Sequence, residues 1–156
     1  TAKDGDYQNI KTINSVGTSS WTDGSVKTGK TYYYKIKTVV KTQNGEQTSG
    51  FSNVKSAKAV PAKTTLKAKA SDAKNVKLTW SKVKGASGYE IYRSNSKDGK
   101  CSKVKTISKG STTSYKNGKL KKSTTYYYKI RAYRKVNGKK VYGSYSSVVS
   151  VKTKAK

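Results

Sequence analysis

Residues 125–130 read Thr-Tyr-Tyr-Tyr-Lys-Ile, and residues 31–36 read the same six letters. The offset, 125 minus 31, is 94 residues, the length of a whole small domain. Other landmarks keep that spacing: Lys3-Asp4-Gly5 against Lys97-Asp98-Gly99, Ile13 against Ile107, Trp21 against Tyr115, Gly24 against Gly118, and Phe51-Ser52 against Tyr145-Ser146. The chain therefore reads as a tandem array. Carried backwards, the offset pairs residues 61–95 with positions before Thr1, so the expectation is one complete unit, 60–156, preceded by a unit, 1–59, that lacks its front strands.

Working outward from the second copy, Tyr126, Tyr128, Ile130 and Ala132 alternate with Tyr127, Lys129, Arg131 and Tyr133. Side chains of a strand point to opposite faces in turn, so Thr125 to Arg134 is a long strand with one core face and one outward face. Val76, Leu78 and Trp80 alternate with Lys77 and Thr79, and Tyr89 and Ile91 alternate with Glu90 and Tyr92, giving two earlier strands around a Gly85-Ala86-Ser87-Gly88 turn. Shorter strands are expected at Val104 to Ile107 and Thr113 to Tyr115. Asn137-Gly138 is a hairpin signal, with Ser146 to Val151 as the returning strand. The same logic places strands in the first unit around Ile10 to Ile13, Ser19 to Trp21, Thr31 to Val40 and Ser52 to Ala57, with Asn44-Gly45 as the hairpin turn. Pro61, the sole proline, stands between the units as a short stiff linker. No helical periodicity competes, and the fold class is all-β, an antiparallel sandwich.

Composition sets further bounds. An apolar fraction of 32% is low, but 13 Tyr and 2 Trp supply large buriable side chains. No run approaches the roughly 18 apolar residues of a membrane-spanning helix. One Cys, Cys101, forms no internal bridge, and without any His the usual zinc ligand sets cannot be assembled; no metal and no cofactor is expected. The net charge is +28, and it is uneven: residues 1–60 carry 9 Lys against 4 acids, residues 61–156 carry 26 Lys plus Arg against 3 acids. Such a field favours anionic partners.

The order Thr79-Trp80, Gly88-Tyr89-Glu90-Ile91-Tyr92-Arg93, Leu120 to Tyr126 and Tyr145-Ser146-Ser147-Val148 resembles a bacterial fibronectin type III domain. The resemblance puts Tyr126 at the tyrosine corner, whose hydroxyl bonds to backbone a few residues upstream, and Val26 to Tyr32 repeats the element. Where that pattern often has Pro-Gly before the Thr, this chain has Lys122-Ser123 and Thr28-Gly29. Lys- and Tyr-rich units of this kind are similar to tandem modules of large secreted or surface proteins of Gram-positive bacteria. The resemblance implies an extracellular or cell-surface location and a non-catalytic role as spacer or adhesive accessory in the cell wall. The partner it implies is the remainder of a larger polypeptide, or a neighbouring chain, completing residues 1–59.

Catalysis has little raw material here. General acid–base work needs a proton carrier with a tuned pKa, and the acids Asp4, Asp6, Asp23, Glu46, Asp72, Glu90 and Asp98 lie mostly in turn-like contexts. Cys101 lacks a His to activate it and occupies the position of Tyr7 in the first unit. Asp4-Gly5-Asp6 becomes Asp98-Gly99-Lys100 in its own repeat, which suits a turn better than a calcium loop. The sharpest candidate is the outward face of the long strand, Tyr127, Lys129, Arg131 and Tyr133, extended by Tyr92 and by Lys139 and Lys140 of the last hairpin. Aromatic rings stack on sugars or bases and cations pair with phosphates, so the implied ligand is an anionic wall polymer, an acidic glycan or, less readily, nucleic acid. The bland alternative is a solvated sheet face held by cross-strand pairs. The Val136 to Gly143 loop carries no Arg-Gly-Asp, which leaves loop-borne cell adhesion without support.

Overall fold

A computed structural model describes residues 2–156; Thr1, the first residue of the expected first unit, lies outside them. The chain divides into two compact units, one ending at Ala59 and one spanning Val60–Lys156. The first contains β1 (Thr31–Tyr34), β2 (Val39–Thr42), β3 (Gly45–Thr48) and β4 (Lys55–Lys58), with β1 antiparallel to β4 and β2 to β3. None of its described residues is buried.

The second unit holds β5 (Leu66–Ala70), β6 (Val76–Trp80), β7 (Gly88–Ser94), β8 (Ser102–Ile107), β9 (Ser114–Asn117), β10 (Thr125–Val136), β11 (Lys139–Tyr142) and β12 (Val149–Lys152). One sheet runs β5-β6-β9; the other runs β11-β10-β7-β8, with β12 also on β10. Every pairing is antiparallel. The inner faces meet in a single core: Leu66, Val76, Leu78 and Trp80 from one sheet, Tyr89, Ile91, Tyr126, Tyr128, Ile130 and Ala132 from the other. Alternation on β6, β7 and β10 produces this directly, because each core residue is two positions from the next.

Three sequence expectations are corrected. Ile10 to Ile13 and Ser19 to Trp21 form no strands. Their counterparts 94 residues on fall in or beside β8 and β9, which pair with β7 and β6; among the described residues nothing pairs with the two earlier segments. Thr31 to Val40 splits into β1 and β2, whereas β10 runs unbroken for 12 residues because β7 braces it from Tyr127 to Tyr133. The returning strand expected at Ser146 to Val151 is the shorter β12, beside Thr125–Tyr128, while Tyr133–Val136 pairs with β11, which forms inside the segment expected as the Val136 to Gly143 loop.

Between those two pairings the backbone is bridged by a side chain. Ser146 N–H donates to the Ile130 carbonyl at 2.7 Å while Ile130 N–H donates to Ser146 Oγ at 3.1 Å. Ser52 and Ile36 repeat both bonds at 2.8 and 3.1 Å. The hairpin tips differ: Asn137 and Gly138 turn the chain with φ of 49° and 75°, the two left-handed residues of the tightest hairpin turn. In the first unit Thr42 pairs with Gly45, so the turn residues are Gln43 and Asn44, not Asn44-Gly45. Besides β11, two strands went unforeseen. β5 offers only Leu66 and two Ala against Lys67 and Lys69, and β3 carries no apolar residue.

Candidate ligand face

The outward face of β10 is built by register. Antiparallel pairing sets Lys129 opposite Tyr92, Arg131 opposite Glu90 and Tyr133 opposite Gly88. Glu90 is therefore an acid placed in the middle of a basic, aromatic surface, and it is fully buried. Its Oε2 receives Tyr92 OH at 2.7 Å and Arg131 Nη2 at 2.9 Å. Its Oε1 receives Lys140 Nζ at 3.0 Å and Tyr142 OH at 3.1 Å, with Lys103 Nζ at 3.6 Å. Burial by itself favours the neutral acid; the bonds from Tyr92, Arg131, Lys140 and Tyr142 outweigh it and hold the carboxyl down at about 2. Reciprocally, burial and the bond to Glu90 push the Tyr92 and Tyr142 phenols up, and the bond to Glu90 raises Lys140.

Aromatic rings close the rest of the network. Arg131 lies over Tyr142, its guanidinium carbon 3.7 Å from the ring centre, with Tyr145 at 4.9 Å and Tyr92 at 5.4 Å. Tyr92 and Tyr145 meet edge to face at 5.2 Å. Lys129 Nζ stands 4.5 Å over Tyr145 and Lys140 Nζ 4.5 Å over Tyr133. Contacts of this kind are worth about 0.5–2 kcal/mol each, more where desolvated.

Of the residues the sequence singled out, Tyr92, Lys129, Arg131 and Lys140 come together. Tyr133 is corrected: it shares the outward parity but is buried, its hydroxyl donating to the Ile107 carbonyl at 3.2 Å. Gly88 makes this possible, since a Cβ there would run into the Ile107 carbonyl and the Tyr133 ring. Tyr127 and Lys139 stand apart from the Glu90 network. Glu90, Tyr142 and Tyr145 were missed as members. The signal for Glu90 was present, because strand parity put the one acid of β7 on the same face as Arg131 and not in a turn. Tyr126 accepts the Lys121 N–H at 3.0 Å and Tyr32 the Lys27 N–H at 2.9 Å, the same bond at the same offset. The first unit also repeats one outer pair, Lys35 Nζ over Phe51 at 4.1 Å, where the second has Lys129 over Tyr145.

No protein-family model matches the chain, and neither does any curated protein. Solved structures do. The sixth fibronectin type III domain of human fibronectin type III domain containing protein 3 aligns at 18% identity over 64% of this chain and 92% of its own, with a TM-score of 0.53. The FN1-FN3 domains of chicken CNTN1 align at 22% identity over 86% of this chain, also with a TM-score of 0.53, and the chain spans 46% of that structure. The fn3 domain of human contactin 1 aligns at 18% identity over 64% of this chain and 81% of its own, with a TM-score of 0.51. The fold is that of a fibronectin type III domain.

Proposed function

We propose that this chain is a non-catalytic spacer or accessory segment of a secreted or surface-attached protein of a Gram-positive bacterium, working as part of a longer polypeptide. The observation that carries this reading is the closure of the outward face on its own acid. Arg131 and Lys140, the cations best placed to meet a ligand, point their donors at Glu90. Glu90 stays ionised down to a pH of about 2, so at neutral pH it has no proton to give and is a weak base. The network thus stiffens the sheet that a spacer needs. The exposed Ile36 and Trp21 of the first unit suit a face covered by another part of that polypeptide or by a neighbouring chain.

A second reading, a binding module for wall teichoic acid or an acidic glycan, is favoured by one observation. Lys129 leans on Tyr145 without pairing to Glu90, and Lys103, Lys129, Arg131 and Lys140 outnumber the single acid. Titration with a polyglycerol phosphate at low and at physiological salt separates the two. A spacer shows no saturable binding at physiological salt; a phosphate binder shows saturable binding whose affinity falls steeply as salt rises and disappears when Lys129 and Arg131 are both changed to Ser.

A further inference from the structure

The two sheets of the second unit carry outward faces of opposite design. On β7 and β10 the cations gather round Glu90. On the other sheet Val76, Leu78 and Trp80 go to the core, so β6 turns Lys77 and Thr79 outward. The same alternation turns out Lys67 and Lys69 of β5 and Ser114 and Lys116 of β9. Register then sets Lys69 opposite Lys77 and Lys77 opposite Lys116. Three lysines therefore stand in one row about 10 Å long, two strand spacings. Among the described residues no carboxylate pairs with Lys67, Lys69, Lys77 or Lys116. Asp72, in the β5–β6 loop, feels the Lys116 charge, but its oxygens accept the Lys74 N–H and the Asn75 amide.

Like charges directly opposite one another work against the sheet. Lysine on an edge strand guards against pairing with another chain, which accounts for Lys69 on β5 and Lys116 on β9. Lys77 lies on the central strand, which has no open edge to guard. Its place between two other lysines costs stability in the free chain, and a bound polyanion removes that cost. The surface beside it is also hollowed. Ser71, Lys77, Ser114, Tyr115 and Lys116 line an open cleft of about 290 Å³, so two lysines and two serines share one hollow.

We propose that the β5-β6-β9 face binds a polyol-phosphate chain, with Lys69, Lys77 and Lys116 meeting its phosphates and the Ser71 and Ser114 hydroxyls donating to the one held in the cleft. The site lies on the sheet opposite the Glu90 face and goes beyond the spacer reading. The residue types select the ligand. Lysine is a compact point charge suited to single phosphates, whereas bidentate capture of carboxylates favours arginine, and this face has none. Single-stranded nucleic acid wants aromatic rings on which bases stack. The aromatic residue here, Tyr115, packs against the core instead.

The test uses the full chain, isotopically labelled, titrated with a short polyglycerol phosphate. Saturable shifts centred on the amides of Ser71, Lys77, Ser114 and Lys116 are expected. Affinity should fall about tenfold between about 50 mM and about 150 mM NaCl, since three neutralised phosphates give a slope of about −2. Lys77→Glu is expected to weaken binding at least tenfold, because an attraction becomes a repulsion. It should also raise the midpoint temperature of the free chain, by setting an acid between Lys69 and Lys116. Lys135→Glu, the same charge change on the other sheet, should leave affinity within about twofold. Absence of saturable shifts at about 50 mM NaCl would overturn the proposal, as would equal losses in the two variants or a midpoint that falls in Lys77→Glu. Shifts centred on Lys129 and Tyr145, abolished by changing Lys129 and Arg131 to Ser, would overturn it in favour of the Glu90 face. That double variant leaves the lysine row intact, so the two sites fail separately. Tighter binding of a single-stranded oligonucleotide or a polygalacturonate of equal charge would overturn the choice of ligand.

Discussion

At the scale of single residues, Glu90 decides what the outer face is. Its partners keep part of their hydration, with side-chain exposures of 21% for Arg131, 30% for Lys140 and 49% for Lys103. Removing the acid therefore costs less than the 3–5 kcal/mol of breaking a fully buried pair. Glu90→Gln is expected to lower stability by about 1–3 kcal/mol, read from a shift of the denaturant midpoint. The pH dependence has a definite sign. Folding lowers the Glu90 carboxyl from 4.5 to about 2, so its stabilisation is complete above pH 4.5 and is lost as pH falls towards 2. In Glu90→Gln the acid-induced loss over that window becomes shallower; it does not vanish, because the Lys74 N–H and Asn75 also lower Asp72. Equal acid slopes in the two proteins would remove Glu90 from the account. A milder loss is expected for Tyr126→Phe, about 1 kcal/mol, since one bond to the Lys121 N–H disappears and the ring remains.

At the scale of elements, β10 is the strand on which the second unit depends, and on the edge away from β7, between its pairings with β12 and β11, its middle is held by a serine hydroxyl instead of a neighbouring strand. Ser146→Ala leaves the buried Ile130 N–H without its acceptor and is expected to cost about 1–3 kcal/mol. Hydrogen exchange at Ile130 should accelerate more than at Tyr128, which keeps its partner Val149; uniform acceleration would mean global loss instead. The bridge also shows where sequence reading reaches and where it stops. Tyr126, Tyr128, Ile130 and Ala132 were legible as core because parity alone decides them. Tyr133 was misplaced, because parity gives the side of the sheet but not its cover, and the cover comes from the space left by Gly88 and from Tyr142 across the strand pair. Glu90 went unread as a network centre for the same reason: its five partners come from β7, β8, β10 and β11, and only folding brings Lys103 and Lys140 to it.

At the scale of the whole molecule, two electrostatic effects of opposite sign compete when salt is added. Salt weakens attraction at Glu90, and it also screens repulsion among the cations. The second effect should win. Glu90 itself is buried, where screening is weaker than at the surface, whereas residues 61–156 carry 26 cations against 3 acids. Two like charges 10 Å apart in water repel by about 0.4 kcal/mol, and the screening length falls from about 30 Å at 0.01 M to about 10 Å at 0.1 M. Unfolding lets these charges move apart, so unscreened repulsion lowers the stability of the compact state. Raising NaCl from 10 mM to 300 mM is therefore expected to increase the midpoint temperature of the second unit by several degrees, since about 1 kcal/mol moves a domain of this size by roughly 4–8 °C. Sulfate adds its own general stabilisation, so chloride is the proper salt for the measurement. A midpoint that falls with NaCl would show that the Glu90 ion pairs outweigh the surface field. The same titration on Glu90→Gln should then lose that fall, whereas under the repulsion account it should rise at least as steeply as in the unsubstituted chain.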